Sequence, residues 1–350
     1  MTSTRTPGGP RRRARRVLVA AAAALVAVVG VAALSGFHRE LREIDPRGAD
    51  AASELSGTIA QVGIRTFTAP AGIRIDEDVE YGVQDDGTVL TLDVCRPSAT
   101  AMAFAADDEG LLPAVVSIHG GSWARGDKAN ADWRNVCAWL ASEGFVAASV
   151  NYRLAPQVRF PAAIDDVELA VEWLREPAQL ERFDVDPARI GAFGGSAGGN
   201  LAALLGTRGE GPLDAGSRVA AVAEISGPVG LTAAELTTDG ASPWLRGIVA
   251  EYLGCEPGAG DDACPQAAEA SATTFIDPSD PPFFVGHADT EVIPLGQSRR
   301  FASSLEAAGV PVDLAVSSGS EHSIGILDET MRARVSAFLH EQLDRSSKAR

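Results

Sequence analysis

The sequence predicts an α/β domain built on a mostly parallel sheet with helices on both faces. Three observations lead there. Short runs that are apolar but for one serine, such as Ala114–Ile118 and Phe145–Val150, have the length of strands buried on both faces rather than the alternation of a half-exposed sheet. Segments with helical apolar spacing separate these runs, so strand and helix alternate along the chain. The 350 residues suffice for one large core.

Residues 36–75 mix charged, small and apolar side chains without sustained period, and are expected to form a stalk leading into a domain over 76–345. Val89–Val94 alternates as a strand, and Ala114–Ile118 and Phe145–Val150 follow. Between the latter two, Trp133, Val136, Cys137 and Leu140 recur at helical spacing over 130–142, with Gly144 as a stop. Pro161–Leu174 opens on a proline at its first turn and carries Ile164, Val167, Leu169, Val171 and Leu174 on its apolar face. Strands are expected at Ile190–Phe193, Val219–Ile225, Phe283–Gly286 and Val312–Val316, and helices at Gln297–Ala307 and Asp328–Leu343. The stretch 230–274 breaks this rhythm, with helical segments and no strand. It reads as an inserted helical lid over the carboxyl ends of the strands, the edge that carries binding in open α/β sheets.

The chemistry concentrates at Gly194-Gly195-Ser196-Ala197-Gly198, a G-x-S-x-G between a strand and a helix. A serine at a tight strand-to-helix turn holds strained backbone angles, so residues two before and two after it must lack bulk. The motif is weak alone in a chain with 36 glycines, but a second glycine turn, His119-Gly120-Gly121-Ser122-Trp123, also follows a strand. Backbone N–H groups of Gly120 and Gly121, with that of Ala197, are the expected oxyanion donors, and His119 is expected to hold the loop. A serine needs a base, and the base an orienting carboxylate. His322, in a small-residue loop after the last strand, is the expected base; His38, His119, His287 and His340 are placed less well. Asp289, a few residues after the Phe283 strand, is the expected acid, with Glu291, Asp280 and Asp277 as rivals. The order Ser196, Asp289, His322 is nucleophile, acid, base.

With these residues in view, the chain from about Glu80 to Leu343 resembles the hormone-sensitive-lipase-like esterases of the α/β-hydrolase superfamily. The likeness rests on H-G-G-S-W, on V-N-Y-R-L-A-P from Val150, on F-P-A-A-I-D-D-V from Phe160, on G-G-S-A-G-G-N from Gly194, and on D-P-S-D-P-P-F-F-V-G-H-A-D-T-E-V-I-P from Asp277. It implies an α/β-hydrolase fold and cleavage of carboxylic esters by a Ser196–His322–Asp289 triad, with no cofactor or metal. Matching Gly286 to the family's glycine puts Asp289 on the acid; one extra residue before Pro294 keeps Glu291 as the alternative. H-G-G-S-W lacks the third glycine of H-G-G-G and shifts the likeness toward the H-G-G-x-W branch, which includes arylformamidases. Amide hydrolysis is therefore the rival activity, and a non-catalytic surface protein of the same fold the rival from another class. Asn151, Tyr152, Arg153, Asp165 and Asp166 match positions taken as scaffold.

Six arginines and no acid precede residue 36, so the other 24 lysines and arginines face all 47 acidic side chains. So acidic a body repels phosphate backbones, and nucleic acid is not an expected partner. Five of these arginines, at 11–13, 15 and 16, stand immediately before Val17–Leu34, eighteen residues without a polar side chain. That is the lower limit for a membrane span, and the arginines put its N-terminal side in the cytoplasm. Residues 1–35 are expected to be a signal-anchor at the cell membrane with the domain outside the cytoplasm; a cleaved signal, with small residues at Ala33 and Ser35, or a twin-arginine export signal are the alternatives. Four cysteines in an exported chain suggest two disulfides. Cys255 and Cys264 flank a turn-rich segment with little else to order it, which pairs them and leaves Cys95 with Cys137.

Overall fold

The computed structural model describes residues 62–106, 110–258 and 263–348, and the expected signal-anchor and most of the stalk lie outside these. Eight strands form one sheet: β1 (Arg74–Val83), β2 (Val89–Arg96), β3 (Leu112–Ile118), β4 (Val146–Val150), β5 (Val185–Gly195), β6 (Val222–Ile225), β7 (Phe283–Ala288) and β8 (Val312–Ser317). Their order is β1-β2-β4-β3-β5-β6-β7-β8. β2 runs antiparallel to both neighbours, and every pair from β4 to β8 is parallel. The helices are α1 (Ala99–Ala105), α2 (Ala131–Ser142), α3 (Ala162–Leu174), α4 (Pro177–Phe183), α5 (Ala197–Thr207), α6 (Ala233–Thr238), α7 (Pro243–Leu253), α8 (Gln266–Glu269), α9 (Leu295–Ala308) and α10 (Glu329–Lys348).

Strand alternation divides the core in two. On β3, Ala114, Val116 and Ile118 join a core containing Ile164, Val167 and Val171 of α3 and Leu201 and Leu205 of α5. Val115 points the other way, into a core with Val136 and Leu140 of α2 and Val335 and Leu339 of α10. Helices thus cover both faces, as the apolar runs imply. Three elements differ from the sequence reading. β1 was not expected, because its edge position leaves Arg74, Asp76, Glu77, Asp78 and Glu80 in place of an apolar alternation; edge strands carry such charge without penalty. α1 and α4 are seven residues each, too short to show a period.

The chain leaves β3 for β4 on one side and returns to β5 on the other, so the order reverses between β3 and β5. Crevices at such a reversal open at the carboxyl ends of the strands. The two glycine turns follow β3 and β5 at that edge. Both expected disulfides are present: Cys95–Cys137 ties β2 to α2, and Cys255–Cys264 closes the turn between α7 and α8, with Cα separations of 5.8 and 5.5 Å. The insertion between β6 and β7 holds α6, α7, α8 and a single 3-10 turn at Ala272–Thr274, and no strand among its described residues. Among the described residues no helix is long and apolar enough to cross a membrane.

Candidate active site

Ser196 stands between β5 and α5 with φ 58° and ψ −123°, a conformation that a side chain enters only when its surroundings impose it. Two contacts impose it here. The Ser196 N–H donates to the carbonyl of Ile225 at 2.8 Å, and a Cβ on Gly198 would lie 2.0 Å from the Ile118 carbonyl, so only glycine lets α5 start this close to β3. Across the turn, a Cβ on Gly120 would lie 2.7 Å from the Gly195 carbonyl and 3.1 Å from the serine Cβ. The turn at Gly120 is therefore pressed against the serine, while Gly121 lies against the Arg125 carbonyl. Ala197 is the first residue of α5, where the N–H has no partner within the helix.

Other side chains keep that loop in place. His119 donates from Nδ1 to the Gly120 carbonyl at 2.9 Å, stacks on Tyr152, and accepts the Tyr152 hydroxyl on its own carbonyl at 2.8 Å. Burial pushes its imidazole below the ordinary histidine range. It is a structural histidine, as expected. Ser122 and Trp123 both have φ 56°, and the strain is held by Trp123, whose Nε1 donates to Asn200 Oδ1 at 3.2 Å and whose indole stacks on Tyr252 of α7 with centroids 4.3 Å apart. Arg153 forks onto Asp166, and Lys128 Nζ bridges Asp93 and Asp78 at 2.7 Å each. Tyr152, Arg153 and Asp166 thus make the supporting contacts expected of scaffold positions.

His322 follows β8 and directs Nε2 to Ser196 Oγ at 2.8 Å. Its Nδ1 meets Glu291 Oε2. This corrects the expected acid. Asp289 is exposed; its N–H continues the strand pairing onto Ser317, and its Oδ1 accepts the Gly319 N–H at 2.9 Å. The physical reason is register: pairing with β8 persists through Asp289, so the chain turns inward only after it, and the residue two further on, with one more methylene, reaches the ring. Asp277 and Asp280 precede β7 at the opposite end of the sheet, where Asp280 lies beside Arg218. His340 sits on α10 against the Glu143 carbonyl; His38 lies outside the described residues. The Glu291 side chain is fully buried.

A second buried carboxyl was missed in the sequence. Glu224 on β6 pairs in register with Gly194, and its Oε2 accepts the Gly227 N–H at 2.8 Å. Burial pushes its pKa up to about 8 against the opposing Gly227 hydrogen bond, with the charge of Glu291 adding to the rise. A carboxyl with a raised folded pKa stabilises the protein below its unfolded value, ordinarily 4.5, and that stability is lost as pH climbs to about 8. At about 1.4 kcal/mol per unit, the loss is on the order of a few kcal/mol. Glu224→Gln should therefore melt progressively higher than the parent between pH 5 and pH 8, by several degrees at the upper end; thermal melts at both pH values read this directly.

With this geometry in place, the likeness to known proteins is specific. A family model described as BD-FAE matches residues 102–305. Neutral cholesterol ester hydrolase 1 of Rattus norvegicus is 46% identical over 100 residues, 28% of this chain and 24% of that one. Esterase LipQ of Mycobacterium tuberculosis is 30% identical over 269 residues, 74% of this chain and 59% of its own. The chain thus spans about a quarter of the first relative and under two thirds of the second. The solved structure of a hyperthermophilic esterase from the archaeon Pyrobaculum calidifontis superposes with a TM-score of 0.62 at 26% identity, over 79% of this chain and 87% of that one. The fold is that of the α/β-hydrolases. With more than half of its residues matched by the family model, the chain belongs to the BD-FAE family.

Proposed function

We propose that the protein is a serine hydrolase of carboxylic esters, working through an acyl-enzyme. The observation that carries this reading is the line from Ser196 Oγ to His322 to Glu291, closed by the hydrogen bond of 2.8 Å at the serine. His322 Nε2 takes the hydroxyl proton as Oγ bonds to the ester carbonyl carbon, and the carbonyl π pair moves onto oxygen. N–H groups of Gly120, Gly121 and Ala197 receive that oxyanion. Collapse expels the alcohol, which leaves with the proton from His322; water then enters by the same steps and releases the acid. Glu291 holds the Nδ1 tautomer and balances the imidazolium charge. The relatives named as ester hydrolases support esters as the substrate class.

The test is a fluorophosphonate probe with a panel of p-nitrophenyl esters of increasing chain length and an aryl formamide. The expected result is a covalent adduct on the peptide containing Ser196 and turnover of the esters. Faster turnover of the formamide moves the protein to the amide-cleaving reading, and an absent adduct ends the mechanism.

We further propose that the domain works outside the cytoplasm, held at the membrane by residues 1–35. The arginines before Val17–Leu34 and the two disulfides support this placement. Mass spectrometry of the native protein should find the N-terminal segment retained in the membrane fraction; a mature terminus near Gly36 replaces the anchor with a secreted form, and an intact chain in the cytosol overturns the placement.

A further inference from the structure

The histidine that precedes the acid is unused by the mechanism so far. His287 is a β7 residue with a fully buried side chain, and its two ring nitrogens meet different partners. Nε2 lies 2.9 Å from the Ile293 carbonyl and 3.1 Å from Glu291 Oε1. Nδ1 lies 2.7 Å from the hydroxyl of Ser298, itself buried on α9. A carbonyl and a carboxylate are both acceptors, so Nε2 must carry the proton, and Nδ1 must then accept from Ser298. The Nε2–H hydrogen bond goes to Ile293, and Glu291 Oε1, which accepts no hydrogen bond among the described residues, faces the same ring edge at 3.1 Å.

We propose that His287 is a positioning residue for the hydrolytic site: its Nε2–H edge, kept in that tautomer by Ser298 and the Ile293 carbonyl, lies against Glu291 Oε1 while His322 meets Oε2, so the carboxylate is confined between two imidazoles. The inference rests on the triad reading given above. Burial pushes the His287 ring below the ordinary histidine range, against the pull of Glu291, so it stays neutral and leaves the carboxylate charge to His322. A fixed carboxylate sets the plane and tautomer of the His322 ring, which matters to the transition state and not to substrate binding. The effect therefore belongs in kcat.

The experiment compares His287→Gln, which keeps an N–H near Nε2, with His287→Phe, which keeps the ring's bulk and removes every donor, alongside Glu291→Gln and the Glu291→Gln/His287→Phe pair, all on p-nitrophenyl acetate. His287→Phe should lose about ten- to a hundredfold in kcat with KM within about twofold, because a buried carboxylate oxygen then faces an apolar ring in place of a polar N–H edge. His287→Gln should stay within about threefold of the parent. In the Glu291→Gln background, His287→Phe should cost little more, since the two residues act as one unit. Ser298→Ala serves if the phenylalanine variant does not fold: it should lower kcat several-fold at constant KM by freeing the tautomer. An unaffected Glu291→Gln enzyme overturns the acid assignment and this inference with it. With Glu291→Gln crippled, a normal kcat in His287→Phe or in Ser298→Ala, or a glutamine variant as impaired as the phenylalanine one, overturns this inference alone.

Discussion

Ser196→Ala is expected to lower ester turnover by about a million-fold while the protein melts at nearly its parental temperature. The two halves of that result have separate causes. The hydroxyl is the only atom removed, and it is the one that meets His322 Nε2. The backbone at φ 58° already carries a Cβ in serine, so alanine adds no strain to the turn. The measurement is kcat on a p-nitrophenyl ester beside a thermal melt, with contaminating esterase removed. Near-normal turnover would end the proposed mechanism, whereas a collapsed melting curve would mean that the hydroxyl also supports the fold.

Glu291→Gln and Asp289→Asn should give effects of very different size. The glutamine cannot hold the Nδ1–H tautomer or balance the imidazolium, and the expected loss in kcat is on the order of ten-thousand-fold. In Asp289→Asn the side-chain carbonyl still accepts the Gly319 N–H that Asp289 Oδ1 accepts now, so kcat should stay within about threefold. The reverse ranking would return the acid to the residue that the sequence favours.

How the sequence came to favour Asp289 shows where legibility ends. The strands β3 to β7 were visible because strands buried on both faces are mostly apolar along their length. The nucleophile and the glycine loop were visible because close backbone approach leaves only glycine at Gly120 and Gly198, which fixes a motif in the chain. His322 could be found by its place after the last strand. The acid depends on how far the pairing of β7 with β8 runs, and one more paired residue moves the inward turn past Asp289; no local residue preference records that count. Glu224 was invisible for another reason: within V-A-E-I a glutamate reads as a solvent-facing position, and only the coverage of both sheet faces buries it. The edge strand β1 and the stack between Trp123 and Tyr252 belong to the same class, being decided by tertiary neighbours rather than by the segments themselves.

That stack ties access to readiness. Tyr252 belongs to α7 in the insertion, and its ring lies parallel to the indole of Trp123, 2° between planes. The same indole closes the strained turn that carries Gly120 and Gly121, and Asn200, which accepts its N–H, also donates to the carbonyls of Pro228 and Ala270 at the two ends of the insertion. Swinging α7 outward would strip Trp123 of its aromatic neighbour and relax the turn on which the oxyanion donors sit. Such a movement would disarm the site as it uncovers it, so a substrate too bulky to pass with α7 in place would be penalised in turnover as well as in binding.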